Sequence, residues 1–129
     1  MSHILVVEDS RLSRCIIADA LRDAGHNISV AVNGEEGLTS FCQDRHDCVI
    51  TDLLMPVMDG KEMIRRIRAI DSDVPIIVVS ADIQRSSRSE CEELGVDAFF
   101  NKPVETEAFL TCVHAALAQE AGVELNETQ

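Results

Sequence analysis

The sequence predicts one α/β domain built on a doubly wound, five-stranded parallel sheet. Short apolar runs alternate with helical patterns through five units, and the apolar residues within each run are consecutive rather than alternating with polar ones. Consecutive apolar residues are typical of parallel strands that helices cover on both faces, and strand-then-helix order implies right-handed crossovers. The 129 residues suit one domain. We expect it at residues 1–120, followed by a polar, frayed tail at residues 121–129.

The predicted strands are five runs rich in β-branched residues. Since the carboxyl ends of parallel strands share one edge of a sheet, and functional residues of open α/β sheets gather there, this edge is where a site is expected. The runs are Ile4–Val7, Ile28–Val32, Cys48–Thr51, Val74–Ser80 and Ala98–Phe100.

Each strand is followed by apolar residues at helical spacing. The first helix has Leu12, Ile16, Ile17 and Leu21 on one face, and Ser10 is placed to cap its N-terminus. The later helices show the same pattern, with Asn33-Gly34 and Asp59-Gly60 leading into two of them and Leu94-Gly95 closing the fourth; their core candidates are Leu38, Phe41, Met63, Ile64, Ile67, Ile70, Phe109, Val113, Ala116 and Leu117.

Charge and composition restrict the partners. The chain has 23 acidic and 11 basic residues and a formal net charge of −12, so it repels nucleic acid and anionic membrane surfaces. An apolar strand begins by Ile4 with no basic leader, and no apolar run approaches 18 residues. We therefore expect a cytoplasmic protein that neither binds nor crosses a membrane.

The cysteines and histidines form no metal-binding or disulfide motif in the sequence. The five cysteines lack C-x-x-C spacing, so we expect small buried side chains in a reducing compartment rather than disulfides or a zinc site. The four histidines show no i, i+4 pair, so solvated or capping roles are expected.

Polar side chains stand at the ends of four predicted strands. Glu8 and Asp9 follow the first strand, Asp52 follows the third, Ser80 ends the fourth, and Lys102 follows the fifth. If the first and third strands are neighbours, three carboxylates share one pocket. Their mutual repulsion is tolerable around a cation, and an oxygen-only site favours Mg²⁺. The alternative is that each acid only caps a helix, as Asp9 could.

The combination of Asp52 with Ser80 and Lys102 suggests phosphoryl transfer to a carboxylate. Such a reaction requires positioning and charge neutralisation more than covalent machinery. A lysine is more often a solvated surface charge, but Lys102 follows an apolar strand directly and precedes Pro103.

These residues resemble the motifs of the receiver domain of two-component response regulators, the family that includes the small chemotaxis regulators. The likeness covers about Ile4 to Leu117 and implies a flavodoxin-like fold with strand order 2-1-3-4-5. The matching segments are Val7-Glu8-Asp9-Ser10, Thr51-Asp52-Leu53-Leu54-Met55-Pro56-Val57-Met58-Asp59-Gly60, Val79-Ser80-Ala81 and Phe99-Phe100-Asn101-Lys102-Pro103.

The resemblance implies a role for each matching residue. Asp52 corresponds to the phosphoacceptor, which takes a phosphoryl group from a histidine kinase or a histidine phosphotransfer domain. Glu8 and Asp9 correspond to the acidic pair that holds Mg²⁺ with Asp52, and the backbone carbonyl of Leu54 corresponds to a further metal ligand. The protein would then be a signalling phosphoacceptor rather than an enzyme, acting on a downstream target protein or a fused output domain.

The resemblance also implies a switch. Ser80 and Lys102 correspond to the phosphoryl-binding pair, and Phe99 to an aromatic residue that swings inward with the Ser/Thr hydroxyl. The alternative for Phe99 is a static core aromatic. The family's Lys-Pro peptide is typically cis, which we expect for Lys102-Pro103. The surface formed by the fourth helix, fifth strand and fifth helix is expected to change when Asp52 is phosphorylated.

Two further positions are expected to set the lifetime of the phosphorylated state. In the family, the residues two beyond the phosphoacceptor and two beyond the Ser/Thr influence hydrolysis, and here they are Leu54 and Asp82. We hypothesise that Leu54 excludes water and that Asp82 orients one, against the alternative that both side chains face solvent.

Other classes fit the sequence less well. A flavin-binding flavodoxin would need a phosphate cradle where Glu8 and Asp9 stand, and the chain has no Trp or Tyr to stack on a flavin. An aspartate-nucleophile phosphatase would need Asp where Leu54 stands. The remaining alternative is a receiver-like interaction module that acts independently of phosphorylation.

Overall fold

The computed structural model describes residues 2–82 and 84–120, and the tail expected at residues 121–129 lies outside the described residues. Five parallel strands form one sheet in the order β2-β1-β3-β4-β5, which confirms the predicted fold. The elements along the chain are β1 (His3–Val7), α1 (Arg11–Asp23), β2 (Asn27–Ala31), α2 (Gly34–Gln43), β3 (Cys48–Thr51), α3 (Gly60–Ile70), β4 (Ile76–Ser80), α4 (Arg85–Glu93), β5 (Ala98–Asn101) and α5 (Thr106–Glu120).

The strand predictions agree with the structure except at their ends. The fourth run was expected from Val74, but β4 begins at Ile76. Pro75 lies between them and has no N–H to donate to a strand ladder. Its carbonyl still accepts a hydrogen bond from Val49 N–H at 2.9 Å, so the chain is aligned with β3 before the strand itself starts.

The core consists of two layers, one on each face of the sheet. Alternate residues of β1 point to opposite faces, with Leu5 and Val7 on one side and Ile4 and Val6 on the other. The first layer receives Met63, Ile64 and Ile67 from α3 and Cys91 from α4, and the second receives Ile17 and Leu21 from α1 and Phe109 and Val113 from α5. Helices on both faces explain why the strands are apolar at consecutive positions.

Three helices start at capping side chains, of which Ser10 was predicted as a cap. Ser10 Oγ accepts a hydrogen bond from Ser13 N–H at 3.3 Å, Asn33 Oδ1 from Glu36 N–H at 2.8 Å, and Asp59 Oδ1 from Glu62 N–H at 2.9 Å. Each cap satisfies one of the backbone donors that a helix start leaves free.

The structure corrects several burial predictions. Leu12, Ile16 and Ile70 are exposed, although their spacing placed them on the buried faces of α1 and α3. Cys15 and Cys42 are also exposed rather than buried. Helical spacing identifies the apolar side of a helix, but it does not show whether another element covers each turn.

The histidines also differ from the prediction. His46 is only 5% exposed, and its ring lies 4.3 Å from that of His3 between ring centroids. His26 and His114 face each other across 3.1 Å. The four side chains therefore form two pairs, which no sequence spacing indicated because the partners are distant in the chain.

No helix within residues 2–82 and 84–120 combines the length and apolar character needed to cross a bilayer.

Candidate functional site

Three carboxylates meet at the carboxyl edge of the sheet, as expected. The parallel register of β1 and β3 pairs Val7 with Thr51, so the residues that follow, Glu8 and Asp52, lie side by side. Carboxylate oxygens of Glu8, Asp9 and Asp52 lie within 4.8 Å of one another. We call these three residues the acidic site.

Lys102 contacts two of the three carboxylates. Its Nζ donates hydrogen bonds to Glu8 Oε1 at 2.8 Å and to Asp52 Oδ2 at 2.9 Å. Burial lowers the pKa of Lys102, but the bonds to Glu8 and Asp52 outweigh that effect, so its pKa is raised and the ammonium stays charged. One ammonium against three carboxylates still leaves a formal excess of two negative charges at the acidic site.

The excess of negative charge at the acidic site affects the protonation of Glu8. Its side chain is 1% exposed, and burial raises its pKa despite hydrogen bonds from Lys102 and from Ser10 N–H, while the charge of Asp52 raises it further. A buried carboxylate beside another carboxylate is stabilised by a nearby cation. The oxygen-only donor set suits Mg²⁺, which binds through one or two carboxylates and retains several waters. The residues present thus fit the ion that the sequence implied.

Asp52 is held by two hydrogen bonds and is 7% exposed. Leu53 N–H donates to its Oδ1 at 2.6 Å, and Lys102 Nζ donates to its Oδ2 at 2.9 Å. Its own N–H donates to Val7 O at 3.1 Å, which ties the end of β3 to the end of β1. A carboxylate held in this way has a fixed direction, which an in-line attack on phosphorus requires.

Gly60 allows α3 to start against the acidic site. A Cβ at this position would overlap the carbonyl oxygen of Asp52 and would lie 2.9 Å from Leu53 Cα. The N–H of Gly60 instead donates to Leu53 O at 2.8 Å. Only glycine permits this close approach of two backbone segments.

Ser80 lies fully buried at the end of β4 and pairs with Asn101, the last residue of β5. Lys102 N–H donates to Ser80 O at 2.9 Å, and Asp82 N–H donates to Ser80 Oγ at 3.1 Å. The Lys102-Pro103 peptide is cis, as expected. The structure thus places Ser80 and Lys102 on adjacent strand ends, with the hydroxyl engaged by the loop that follows β4.

Leu54 and Asp82, which are expected to set the lifetime of the phosphorylated state, lie in different surroundings. The Leu54 side chain is 65% exposed. Asp82 is half-buried, and its carboxylate accepts hydrogen bonds from Gln84 N–H at 2.9 Å and from Ser87 Oγ. The bonds from Ser87 and Gln84 lower the pKa of Asp82. A carboxylate can accept about four hydrogen bonds, so these two leave Asp82 able to orient a water, and both kinetic roles stay predictions.

Phe99 is half-buried on β5 and packs against the first core layer. The guanidinium carbon of Arg88, from α4, lies 5.3 Å from its ring centroid, within cation–π distance. The aromatic residue therefore already contacts α4 in this state.

Two residues at this edge were not predicted. Arg14 Nη1 donates to Glu8 O at 2.8 Å and to Asp9 O at 3.5 Å, so it holds the loop that carries two of the three acids. Val57, 76% exposed, has a φ of 68°, a region that β-branched residues rarely adopt. The chain has 11 basic residues, and nothing in their spacing distinguishes Arg14 from the others.

Comparison with known proteins identifies the family. The family model described as "Response regulator receiver domain" matches residues 4–114. The response regulator MprA of Mycolicibacterium vanbaalenii is 35% identical over 115 residues, covering 89% of this chain and 50% of that protein. The chain thus spans about half the length of the curated relatives it matches. It belongs to the response regulator receiver domain family.

Solved structures agree with this assignment. The chemotaxis protein CheY4 of Vibrio cholerae has a TM-score of 0.84 at 28% identity, covering 90% of this chain and 98% of that chain. A CheX–CheY complex of Borrelia burgdorferi, described with BeF₃ and Mg²⁺, has a TM-score of 0.84 at 26% identity, covering 88% of this chain and 87% of that chain. The protein is therefore a signalling domain with the CheY-like fold.

Proposed function

We propose that Asp52 accepts a phosphoryl group from a phosphohistidine of a histidine kinase or a histidine phosphotransfer domain. The observation that carries this proposal is the meeting of Glu8, Asp9 and Asp52 at the carboxyl edge of the sheet, with Lys102 bonded to two of them. Three acids capping separate helices would not need to converge, nor would two of them need to share one ammonium.

The reaction follows from the way Asp52 is held. A carboxylate oxygen of Asp52 attacks the phosphorus in line with the bond to the donor imidazole nitrogen. That P–N bond breaks, its electron pair stays on the imidazole, and an acyl phosphate forms on Asp52. The hydrogen bond from Leu53 N–H to Oδ1 at 2.6 Å keeps the carboxylate orientation fixed during the approach.

Glu8, Asp9, Asp52 and the backbone carbonyl of Leu54 would hold Mg²⁺. When bound, the ion neutralises charge on the carboxylates and on the phosphoryl oxygens. Its two positive charges equal the formal excess that Lys102 leaves at the acidic site.

Lys102 and Ser80 are the groups of this chain that would bind the new phosphoryl oxygens. Lys102 Nζ is already 2.9 Å from Asp52 Oδ2, so it can contact a phosphoryl group there with little movement. Ser80 Oγ accepts a hydrogen bond from the N–H of Asp82 at 3.1 Å and still has its own proton to donate to a phosphoryl oxygen. Phosphorylation would therefore act on the β4–α4 loop through Ser80.

The expected consequence is a shift of the surface formed by α4, β5 and α5, including Phe99. Moving an equilibrium from 1:99 to 99:1 requires about 5.5 kcal/mol. Hydrogen bonds to charged groups contribute about 1.5 to 3 kcal/mol each. Lys102 already donates to Asp52 Oδ2 at 2.9 Å, so only the difference between its bonds before and after phosphorylation, together with a bond from Ser80, adds to the shift.

The domain would act in the cytoplasm by contacting a downstream target or a fused output domain. Its own chemistry is limited to phosphorylation and dephosphorylation of Asp52, with Leu54 and Asp82 setting the lifetime. Nucleic acid and membranes are not expected partners of this domain because of its net charge of −12.

Phosphorylation by a small P–N donor tests the proposal. Incubation with phosphoramidate and Mg²⁺, followed by intact mass measurement, should add one phosphoryl group to the wild type and none to Asp52→Asn. The matched control is Asp23→Asn, which changes an exposed aspartate of α1 and should be phosphorylated like the wild type. Incorporation by Asp52→Asn equal to that of the wild type would refute the role of Asp52, and no incorporation by the wild type would favour an interaction module independent of phosphorylation.

A further inference from the structure

Two histidines from distant parts of the chain meet at the amino edge of the sheet. His26 precedes β2, in the turn that follows α1, and His114 lies in α5. Their Nε2 atoms are 3.1 Å apart and share a hydrogen bond, which a bound ion would replace, and their rings are tilted by 47° with centroids 5.2 Å apart. Since β2 runs from Asn27 toward the carboxyl edge, this pair lies at the opposite edge of the sheet from the acidic site.

We propose that His26 and His114 form a two-histidine site for a divalent transition-metal ion of the Zn²⁺ class. Zinc binds imidazole nitrogen at about 2.0 to 2.1 Å, so two nitrogens 3.1 Å apart can share one ion with an N–Zn–N angle of about 100°, near the tetrahedral value. Imidazole suits Zn²⁺, Cu²⁺ and Ni²⁺, whereas Mg²⁺ prefers oxygen ligands. This inference does not depend on the proposed function.

The protonation state of His26 favours metal binding. Only neutral imidazole is a ligand. Burial, together with the neighbouring His114, lowers the pKa of His26, so its ring is neutral at pH 7. His114 is exposed, which leaves a path for the ion and space for water ligands.

The surroundings indicate a site of moderate affinity. Within residues 2–82 and 84–120, no third His, Cys, Asp or Glu joins the two imidazoles as a ligand, so water would complete the coordination. The Nδ1 of His26 is buried without a hydrogen-bond partner. Because an outer partner for a ligating histidine is typically worth 10 to 100-fold in affinity, we expect binding about that much weaker than at a fully supported site.

Metal binding would link α5 to the turn between α1 and β2. The two histidines are separated by 88 positions in the sequence, and an unfolded chain does not hold them together. An ion that binds only the folded state raises the melting temperature. Zn²⁺ should therefore stabilise this protein, and it should do so through both histidines.

A Zn²⁺ titration followed by ¹⁵N NMR of the imidazoles tests the site. The protein is kept in saturating Mg²⁺, and the exposed Cys15 and Cys42 are replaced by Ser so that thiols do not bind the ion. The signals of His26 and His114 should shift along one saturation curve, with His3 and His46 unchanged, and the melting temperature should rise by several degrees.

Variants complete the test. His114→Gln should weaken binding at the pair at least tenfold and remove the thermal shift, and His3→Gln should change neither. Because His114 is exposed, its replacement keeps the test valid even if His26→Gln fails to fold. Unshifted His26 and His114 signals, equal shifts of all four rings, or unchanged Zn²⁺ affinity in His114→Gln would overturn the proposal.

Discussion

Replacing Lys102 by Met gives the most informative test of the electrostatics. The variant leaves Glu8, 1% exposed, and Asp52, 7% exposed, without their shared ammonium. Removing one partner of a buried ion pair costs about 3 to 5 kcal/mol, because the remaining charge is uncompensated. The Lys102 side chain is itself 20% exposed, so the lower end, about 3 kcal/mol, is expected in a chelator.

Mg²⁺ should restore much of this loss. An ion at the acidic site would supply the positive charge that the variant lacks, so added Mg²⁺ should raise the unfolding free energy of Lys102→Met more than that of the wild type. The assay is urea unfolding followed by circular dichroism, in chelator and in saturating Mg²⁺. The difference in unfolding free energy between chelator and saturating Mg²⁺ separates the effect of the lost charge from that of the lost packing.

The control is the chain's other lysine. Lys61 pairs with Glu90 at the surface, and exposed pairs contribute about 0 to 1 kcal/mol, so Lys61→Met should have little effect in either condition. If Lys102→Met lost less than about 1 kcal/mol of unfolding free energy, or if Mg²⁺ left that loss unchanged, the acidic site would not carry the uncompensated negative charge that binds a cation.

Two further predictions concern stability away from Lys102. Val57→Gly should raise the unfolding free energy by about 1 kcal/mol in urea denaturation, because the φ of 68° strains a β-branched residue and not glycine; a destabilised variant would contradict this. Burial lowers the pKa of His46, which lies near His3, Asp44 and Asp47, so the unfolded chain binds a proton that the folded chain does not as pH falls below about 6.5. The stability that the neutral ring contributes is thus lost on acidification. The melting temperature of His46→Phe, relative to that of the wild type, should therefore rise as the pH is lowered from 7.5 to 5.5. A difference in melting temperature that stays constant over this pH range would contradict the lowered pKa of His46.

The sequence predicted the fold because strand burial and helix capping are local properties. Uninterrupted apolar runs require cover on both faces, and Ser10, Asn33 and Asp59 each cap a helix through a neighbour three positions away. Residues at the strand ends could be located for the same reason, since parallel strands place these ends together.

The features that were missed depend on packing between distant segments. Leu12 and Ile16 share the apolar side of α1, but nothing covers that part of the helix within residues 2–82 and 84–120. The pairing of His26 with His114 joins positions 88 residues apart. Lys102 was expected to act with Asp52, but its second hydrogen bond, to Glu8, follows from side-chain geometry that no spacing in the sequence encodes.

Mapping the phosphoryl group tests directly whether Asp52 is the phosphoacceptor. After phosphorylation by phosphoramidate, borohydride reduces an aspartyl phosphate, and peptide mass analysis locates the reduced residue. We expect modification at Asp52 alone, which depends on Mg²⁺ and is lost when the acidic site is disrupted by Asp9→Asn. Reduction at another aspartate, or equal labelling in the presence of chelator, would contradict it.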